Sequence, residues 1–387
     1  MASGDRGIGS SGDREIGSSG DRAPLLSVRS LTAVFDLPDG PAAAADRVSF
    51  DLRAGETLCL VGESGSGKSI TALSIVGLMP PPGRVVEGEV LFRGRDLLRL
   101  DERDLQPVRG ADIGFVFQEP MSALSPVFTI GAQIAETLEV HGRAAPGRDA
   151  RAQAIELLRR VRIPEPERRA DDYPHQLSGG LRQRATIALA IACGPALLIA
   201  DEPTTALDLT IQAQILDLLK EMRDAFGLAL LLITHDLAIV AESGDRVAVM
   251  YAGRIVEQGP VVDLLRAPLH PYTRALLASM PGASPGRMLA AIPGTVPRLG
   301  AAPPGCLFAP RCPDRFEPCD AAPPALTAYG VQRQVRCYLH SAAAEPPQPE
   351  PPAVTASPLA SSGRSGSLNE SAGSSQEAGA KTRRDAS

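Results

Sequence analysis

Residues 62–69 have the types and spacing of a loop that binds phosphate groups. They read GESGSGKS and fit the pattern G-x-x-x-x-G-K-[ST], directly after an apolar run and directly before a helix-forming run. In such a loop consecutive N–H groups point at the anion, and the helix N-terminus adds a favourable field. This context disfavours the alternative of a Gly/Ser turn with an incidental lysine. The residues predicted to contact the nucleotide are Gly62, Glu63, Ser64, Gly65, Ser66, Gly67, Lys68, Ser69 and Ile70.

Two adjacent carboxylates form a second candidate centre. Asp201 and Glu202 end the apolar run Leu197–Ala200, and the carboxyl ends of parallel strands are where catalytic groups collect. Lys68 is expected to bridge the β- and γ-phosphates of the nucleotide, and Ser69 and Asp201 to hold Mg²⁺. Glu202 is expected to orient and polarise the attacking water. The alternative, a strand-ending acidic turn without catalytic function, loses weight because a phosphate loop lies upstream.

The elements around these motifs alternate between strand and helix. The sequence predicts a mainly parallel sheet with helices on both faces, the architecture of a P-loop NTPase. A helix over Ser69–Met79 and mostly helical structure over 130–192, broken at 142–147 and 163–166, would pack on that sheet. The predicted strands are Leu26–Phe35, Arg47–Leu52, Thr57–Val61, Ala196–Ala200, Ala229–Thr234 and Arg246–Tyr251.

Composition sets limits on the class of protein. With 44% hydrophobic and 22% charged residues, the chain of 387 residues is typical of a globular protein. A net charge of −6 argues against nucleic acid as the main partner. The apolar stretch 187–200 falls short of the roughly 18 residues of a membrane span, and residues 1–22 lack the apolar core of a signal peptide. We therefore expect a soluble or peripheral protein. The tails, 1–24 and 342–387, are rich in Gly, Ser and Pro, so we expect them to be disordered.

A further motif carries a family resemblance. Residues 177–184, LSGGLRQR, resemble the signature motif of ATP-binding cassette (ABC) ATPases. The resemblance implies that Ser178, Gly179 and Gly180 contact the γ-phosphate of ATP bound to an opposite subunit. It also implies an ABC ATPase domain at 25–260 with a RecA-like core, an antiparallel β subdomain and a helical signature subdomain at about 119–192.

Other positions match the same family in the expected order. Gln118 resembles the glutamine that contacts the metal and the attacking water, and His235 the histidine that contacts the γ-phosphate. Residues 204–208 resemble the loop that crosses the dimer interface. Phe35 is assigned by the resemblance to stacking on adenine, with a core strand position as the alternative. A lone histidine at a strand end is more often structural, so His235 is credited only because the other motifs accompany it.

The resemblance narrows further in the last third of the chain. The segment 270–277, HPYTRALL, resembles the opening of the C-terminal extension of dipeptide, oligopeptide and nickel importer ATPases, here placed at 261–341. This implies an ATP-hydrolysing subunit that powers peptide import from the cytoplasmic side of the inner membrane. The implied partners are a second, distinct ATPase subunit, two membrane permease subunits and an extracytoplasmic substrate-binding protein. Import of nickel or another small solute, an exporter, and a non-transport ABC ATPase of DNA repair or translation remain alternatives.

Four cysteines cluster in this extension. Cytosolic thiols stay reduced, so Cys306, Cys312, Cys319 and Cys337 are not expected to form disulfides. Four thiolates suit tetrahedral Zn²⁺ or an iron–sulfur cluster, although the absence of a C-x2-C pair weakens the zinc interpretation. The related importers are thought to carry a [4Fe–4S] cluster here, which favours that cofactor over Zn²⁺. Four free thiols are the remaining alternative.

Overall fold

The computed structural model describes residues 23–280 and 291–340. Of the two tails predicted to be disordered, residues 1–22 and 342–387 lie outside the described part of the chain. Within that part, no helix combines the length and the apolar character needed to cross a membrane.

The described residues form twelve strands and thirteen α-helices. The strands are β1 Leu26–Leu37, β2 Gly40–Leu52, β3 Thr57–Val61, β4 Gly83–Phe92, β5 Arg95–Asp96, β6 Ile113–Val116, β7 Leu197–Asp201, β8 Ala229–Thr234, β9 Arg246–Tyr251, β10 Arg254–Pro260, β11 Thr327–Tyr329 and β12 Arg333–Val335. The helices are α1 Lys68–Ile75, α2 Glu102–Leu105, α3 Val108–Ala111, α4 Pro120–Ala123, α5 Ile130–Val140, α6 Arg148–Arg160, α7 Pro166–Arg169, α8 Gly179–Ile191, α9 Leu209–Phe226, α10 Leu237–Ser243, α11 Val261–Arg266, α12 Pro271–Ala278 and α13 Pro318–Ala321.

The central sheet has the strand order β11-β12-β10-β9-β3-β8-β7-β6. Its five strands from β9 to β6 are parallel, whereas β10, β12 and β11 pair antiparallel along one edge. Every residue of β3, β7 and β8 is buried, as expected for parallel strands that are covered on both faces. The parallel arrangement places the ends of β3, β8, β7 and β6 along the same side of the molecule.

A second sheet, of order β2-β1-β4-β5, is antiparallel throughout and shares a hydrophobic core with β3 and α1. Helices α5, α6 and α8 pack together over the opposite face of the central sheet, in a core that includes Ile134, Leu158 and Ile187. The predicted fold class, a P-loop α/β core with an antiparallel β subdomain and a helical signature subdomain, is confirmed.

Helix α1 ends four residues earlier than the sequence indicated. Gly77 adopts a left-handed backbone with φ of 64°. The Leu78 N–H donates to the Leu73 carbonyl at 2.8 Å and the Gly77 N–H to the Ser74 carbonyl at 3.2 Å, the pair of bonds that closes a Schellman motif. The predicted end at Met79 was therefore wrong, because the glycine and not the following prolines terminates the helix.

The C-terminal extension is joined to the central sheet through a buried carboxylate. Strand β12 pairs with β10, and Glu257 of β10 is fully buried. Its two carboxylate oxygens accept the N–H groups of Leu269 and His270, each at 2.9 Å, and Arg333 lies 2.7 Å away. These bonds hold the start of α12 against the sheet.

Candidate active site

The candidate active site lies where four parallel strands of the central sheet end. The phosphate loop follows β3, Gln118 follows β6, Asp201 ends β7 with Glu202 directly after it, and His235 follows β8. Because β3, β8, β7 and β6 are neighbours in the sheet, motifs far apart in the sequence meet at one edge.

Two glycines of the phosphate loop are required by close backbone contacts. A Cβ on Gly62 would lie 2.1 Å from the Met250 carbonyl oxygen, and one on Gly67 would lie 2.2 Å from that of Ala44. Gly67 also has φ of 99°, which favours glycine, and it directly precedes α1. The backbone carbonyls of strands β2 and β9 therefore leave no room for a side chain at these two positions of the loop.

Lys68 is the first residue of α1, and its side chain folds back over the loop. Its Nζ donates to the carbonyl oxygens of Gly62 at 2.8 Å and Glu63 at 3.1 Å. The side chain is only 4% exposed. Burial lowers the pKa of Lys68, and the carboxylates of Glu202, Asp201 and Glu63 act in the opposite direction. The ammonium is thus partly desolvated among acidic groups, where it interacts strongly with an incoming phosphate.

Ser69 and Asp201 form an oxygen-rich pair beside this lysine. The Ser69 hydroxyl donates to Asp201 Oδ1 at 3.1 Å. Burial raises the pKa of Asp201, while the bond from Ser69 opposes that rise. A hydroxyl and a carboxylate are ligands that Mg²⁺ prefers, and a cation would offset the buried negative charge. The two side chains therefore fit the predicted Mg²⁺ site.

Three side chains converge on one oxygen of Glu202. The Thr205 hydroxyl donates to Oε2 at 2.9 Å, Gln118 Nε2 donates at 3.4 Å, and His235 Nδ1 lies 3.3 Å away. The backbone of Glu202 is left-handed, with φ of 46°, and its N–H donates to the Ile233 carbonyl. The structure thus places Gln118 and His235 around the Glu202 carboxylate, and their catalytic roles stay predictions. The contact from Thr205 was not predicted, because its motif indicated only an interface loop.

The segment Ser178–Gly180 lies apart from this site in the same chain. Ser178 precedes α8, and Gly180 packs against Ile211 at the start of α9. These residues line an open cleft of about 600 Å³ together with Leu207 and Asp208. Among the described residues, the phosphate loop contributes nothing to the lining of that cleft. The N-terminus of α8 therefore borders a cleft that the phosphate loop of the same chain does not line.

The remaining predicted contacts are placed as follows. Phe35 is partly exposed on β1, opposite Ala42 of β2. Ser64 and Gly65 are exposed at the tip of the loop, whereas Ile70 packs against the hydrophobic core. The stacking role of Phe35 stays a prediction.

The four cysteines of the extension come near one another. The Cys306 N–H donates to the Cys319 carbonyl at 2.7 Å. Burial, with neighbouring thiols adding, raises the pKa of Cys312 to about 11 and that of Cys337 to about 12. Across residues 23–280 and 291–340, however, no three His, Cys, Asp or Glu side chains are arranged to hold a metal ion. The donor types fit the predicted [4Fe–4S] cluster or Zn²⁺, but the geometry does not support either.

The chain matches known families along most of its described length. Residues 45–205 match the model "ABC transporter", and residues 256–319 match "Oligopeptide/dipeptide transporter, C-terminal region". It is 52% identical over 317 residues to a probable peptide ABC transporter ATP-binding protein of Sinorhizobium fredii, covering 81% of this chain and 94% of the relative. It is 48% identical over 315 residues to the dipeptide transport ATP-binding protein DppD of Escherichia coli, covering 81% of this chain and 96% of the relative.

Solved structures with the same fold include a dimer. The ATP-binding cassette MJ0796, in a dimeric post-hydrolysis state bound to ADP and phosphate, superposes with a TM-score of 0.56 at 31% identity. The match covers 61% of this chain and 99% of that chain. CbiO1 of Clostridium perfringens, part of the ABC transporter complex CbiONQ, has a TM-score of 0.54 at 27% identity, over 64% of this chain and 92% of that chain.

Proposed function

Because the chain belongs to the ABC transporter ATPases and hydrolyses ATP, we propose that it powers the import of dipeptides or oligopeptides through separate permease subunits. One observation carries this proposal. A cassette and an oligopeptide/dipeptide-type C-terminal region occur in one chain, and peptide-import relatives align with it over nearly their whole length.

The geometry of the site supports a different role for each group of residues. Lys68 and the loop N–H groups bind the phosphates. Ser69 and Asp201 would hold Mg²⁺, which would neutralise charge on the phosphate oxygens. Glu202 orients the attacking water and accepts its proton. Gln118, Thr205 and His235 hold the Glu202 carboxylate through its Oε2 atom. The contacts of Lys68 with the loop, of Ser69 with Asp201 and of Glu202 with its three neighbours support these roles.

A complete site needs a second ATPase subunit. Ser178–Gly180 faces a cleft away from the phosphate loop of its own chain, so the γ-phosphate it binds is one held by a partner. ATP bound between the two subunits stabilises the closed pair, and hydrolysis releases it. The dimeric state of the related cassette MJ0796 supports this arrangement. In the peptide-import setting the partner is a distinct ATPase chain.

The transport setting implies further partners and a location. Two membrane permease subunits and an extracytoplasmic substrate-binding protein complete an importer, with the ATPase chain peripheral on the cytoplasmic side of the inner membrane. Gln118 contacts Glu202 and shortly precedes the exposed Met121 in the chain, so we assign the segment around Met121 to contact with the permeases. We also propose that the four cysteines bind a [4Fe–4S] cluster, with Zn²⁺ as the alternative. Only the chemistry of the four thiol ligands supports this part of the proposal.

The proposal is tested by isolating the chain with its partners. A tagged Glu202→Gln variant, purified from detergent-solubilised membranes, should carry two polytopic membrane proteins and a second cassette chain. The wild-type assembly in liposomes, with its binding protein, should hydrolyse ATP faster when a dipeptide is added. Stimulation by Ni²⁺ alone would replace peptides with the nickel alternative. Nucleic-acid or ribosomal partners in place of membrane proteins would overturn the transport function.

A further inference from the structure

The C-terminal extension binds the second residue of the phosphate loop. Arg311 donates from Nη1 to Glu63 Oε1 at 3.0 Å and from Nη2 to Glu63 Oε2 at 3.1 Å. The Glu63 N–H donates to the Tyr272 hydroxyl oxygen at 2.9 Å. Both the carboxylate and the N–H of one loop residue are therefore bound by side chains of the extension.

Arg311 is held rigidly where it meets the loop. Its side chain is 4% exposed, and its Nε donates to the Pro293 carbonyl at 2.7 Å. The guanidinium lies over the Tyr251 and Phe308 rings, with its central carbon 5.7 and 5.9 Å from their centroids. A planar, buried guanidinium that meets a carboxylate through two parallel bonds restricts the carboxylate in both position and orientation.

Tyr272 belongs to the same packed group. Its ring centroid lies 4.7 Å from that of Tyr251 and 5.3 Å from that of Phe308. Tyr251 ends strand β9, next to the strand that carries the phosphate loop. The aromatic group thus connects the cysteine-bearing segment to the sheet, and movement of Phe308 would displace Arg311.

Glu63 connects Arg311 to Lys68, because it contacts both residues. The Glu63 carbonyl oxygen accepts from Lys68 Nζ at 3.1 Å, so a displaced Glu63 would disturb the lysine. The Glu63 N–H is donated to Tyr272, so the extension binds the backbone of this loop residue as well as its carboxylate. The contact chain therefore runs from Arg311 through Glu63 to Lys68.

We propose that Arg311 is a positioning residue for nucleotide binding, which acts through Glu63 to hold the phosphate loop ready for ATP. The extension then sets the affinity of the cassette for nucleotide. This inference rests on the nucleotide site and is independent of which solute is transported.

The test compares two arginines of the same segment. In the full chain, Arg311→Met should weaken MgADP binding by about tenfold, the factor that corresponds to 1.4 kcal/mol. In the assembled complex it should raise KM for ATP similarly while leaving kcat at saturating ATP nearly unchanged. The control is Arg315→Met, which removes an arginine paired with Asp320 at 2.9 Å, both side chains being 50% exposed. The control should bind MgADP as the wild type does.

A second variant tests the route through Glu63. Glu63→Gln should weaken MgADP binding as Arg311→Met does, and the double variant should be little weaker than either single variant. Additive losses would overturn the route. A folded Arg311→Met chain, judged by near-ultraviolet circular dichroism, with wild-type affinity would overturn the proposal. If Arg311→Met does not fold, Glu63→Gln alone decides, and unchanged affinity overturns it. Failure of the wild type to bind MgADP would instead contradict the nucleotide site itself.

Discussion

The Lys68 ammonium lies 3.9 Å from Glu202 Oε1, and the two side chains are 4% and 13% exposed. Lys68 follows strand β3 and Glu202 follows β7, with β8 between them in the sheet. The contact is therefore made by the loops at the strand ends and depends on the parallel order of the strands. A lysine that binds phosphate and a carboxylate that orients water face one small volume, as in-line attack on a terminal phosphate requires.

Glu202→Gln should abolish most hydrolysis but leave ATP binding intact. The amide keeps the size of the side chain and its contacts with Thr205 and Gln118, but it cannot accept the proton from water. We expect turnover in the assembled complex to fall by about 10²- to 10⁴-fold, the usual contribution of a general base. Titration with ATP should show unchanged or tighter binding and a larger closed-dimer fraction. Near-wild-type hydrolysis would remove Glu202 from its role.

Lys68→Ala should weaken nucleotide binding. The substitution removes a buried charge that reaches the phosphates, and loss of such a charged hydrogen bond costs roughly 1.5–3 kcal/mol. That range corresponds to a decrease in affinity of about tenfold to a hundredfold. Lys220→Ala is the matched control, because Lys220 is exposed on α9. Calorimetric titration of both variants with MgADP checks the difference, and equal affinities would contradict the loop assignment.

His270→Asn should reduce the acid sensitivity of folding. Burial, chiefly, lowers the pKa of His270 from 6.5 to about 3. Since the unfolded state takes up this proton near pH 6.5 and the folded state does not, stability falls as pH drops from 6.5 toward 3. Between pH 7 and 5 this loss amounts to about 2 kcal/mol. Asparagine retains an acceptor for the Tyr272 N–H, which His270 Nδ1 accepts at 3.0 Å.

Urea unfolding at pH 7 and pH 5 checks this prediction. The difference between the two pH values should shrink in His270→Asn relative to the wild type. Exposed His175 supplies the control, and His175→Asn should keep the wild-type difference. An identical pH response in all three proteins would show that His270 does not stay neutral in the fold.

Metal analysis of the anaerobically purified protein should show whether Cys306, Cys312, Cys319 and Cys337 bind a [4Fe–4S] cluster, bind Zn²⁺ or remain free thiols. A [4Fe–4S] cluster predicts about four irons and matching sulfide per chain, whereas zinc predicts about one Zn²⁺. Cys319→Ser should lose the metal, and Cys193→Ser, outside the group, should keep it. Because buried thiols must ionise to become ligands, uptake should also release protons. If the purified protein contains neither iron nor zinc, the four cysteines are free thiols and the metal-binding prediction is wrong.

The buried centre of the fold was predictable from local sequence. Strands β3, β8 and β9 match their predicted bounds, because each is a short apolar run between turn-forming residues. Strands β3, β7 and β8 place Gly62, Asp201 and His235 at one edge of the sheet, so motif and topology together predicted which residues meet there.

Other features depend on contacts that sequence patterns do not reveal. Strand β4 has largely exposed or half-buried residues and follows three prolines, so it lacks the apolar signature that identified β3. The Arg311–Glu63 pair joins positions 248 residues apart, and neither residue belongs to a recognisable charge pattern. Thr205 lies in a recognisable motif, but the motif did not predict its hydrogen bond to Glu202. Each of these required the three-dimensional arrangement.

The left-handed backbone at Glu202 implies that this residue lowers the stability of the fold while its carboxylate serves ATP hydrolysis. A side chain with a Cβ costs roughly 1–2 kcal/mol in that conformation, whereas glycine adopts it freely. Replacing Glu202 by glycine would therefore relieve local tension and tend to raise the melting temperature of an inert protein. The chain keeps a conformationally unfavourable residue at the position where its carboxylate is needed.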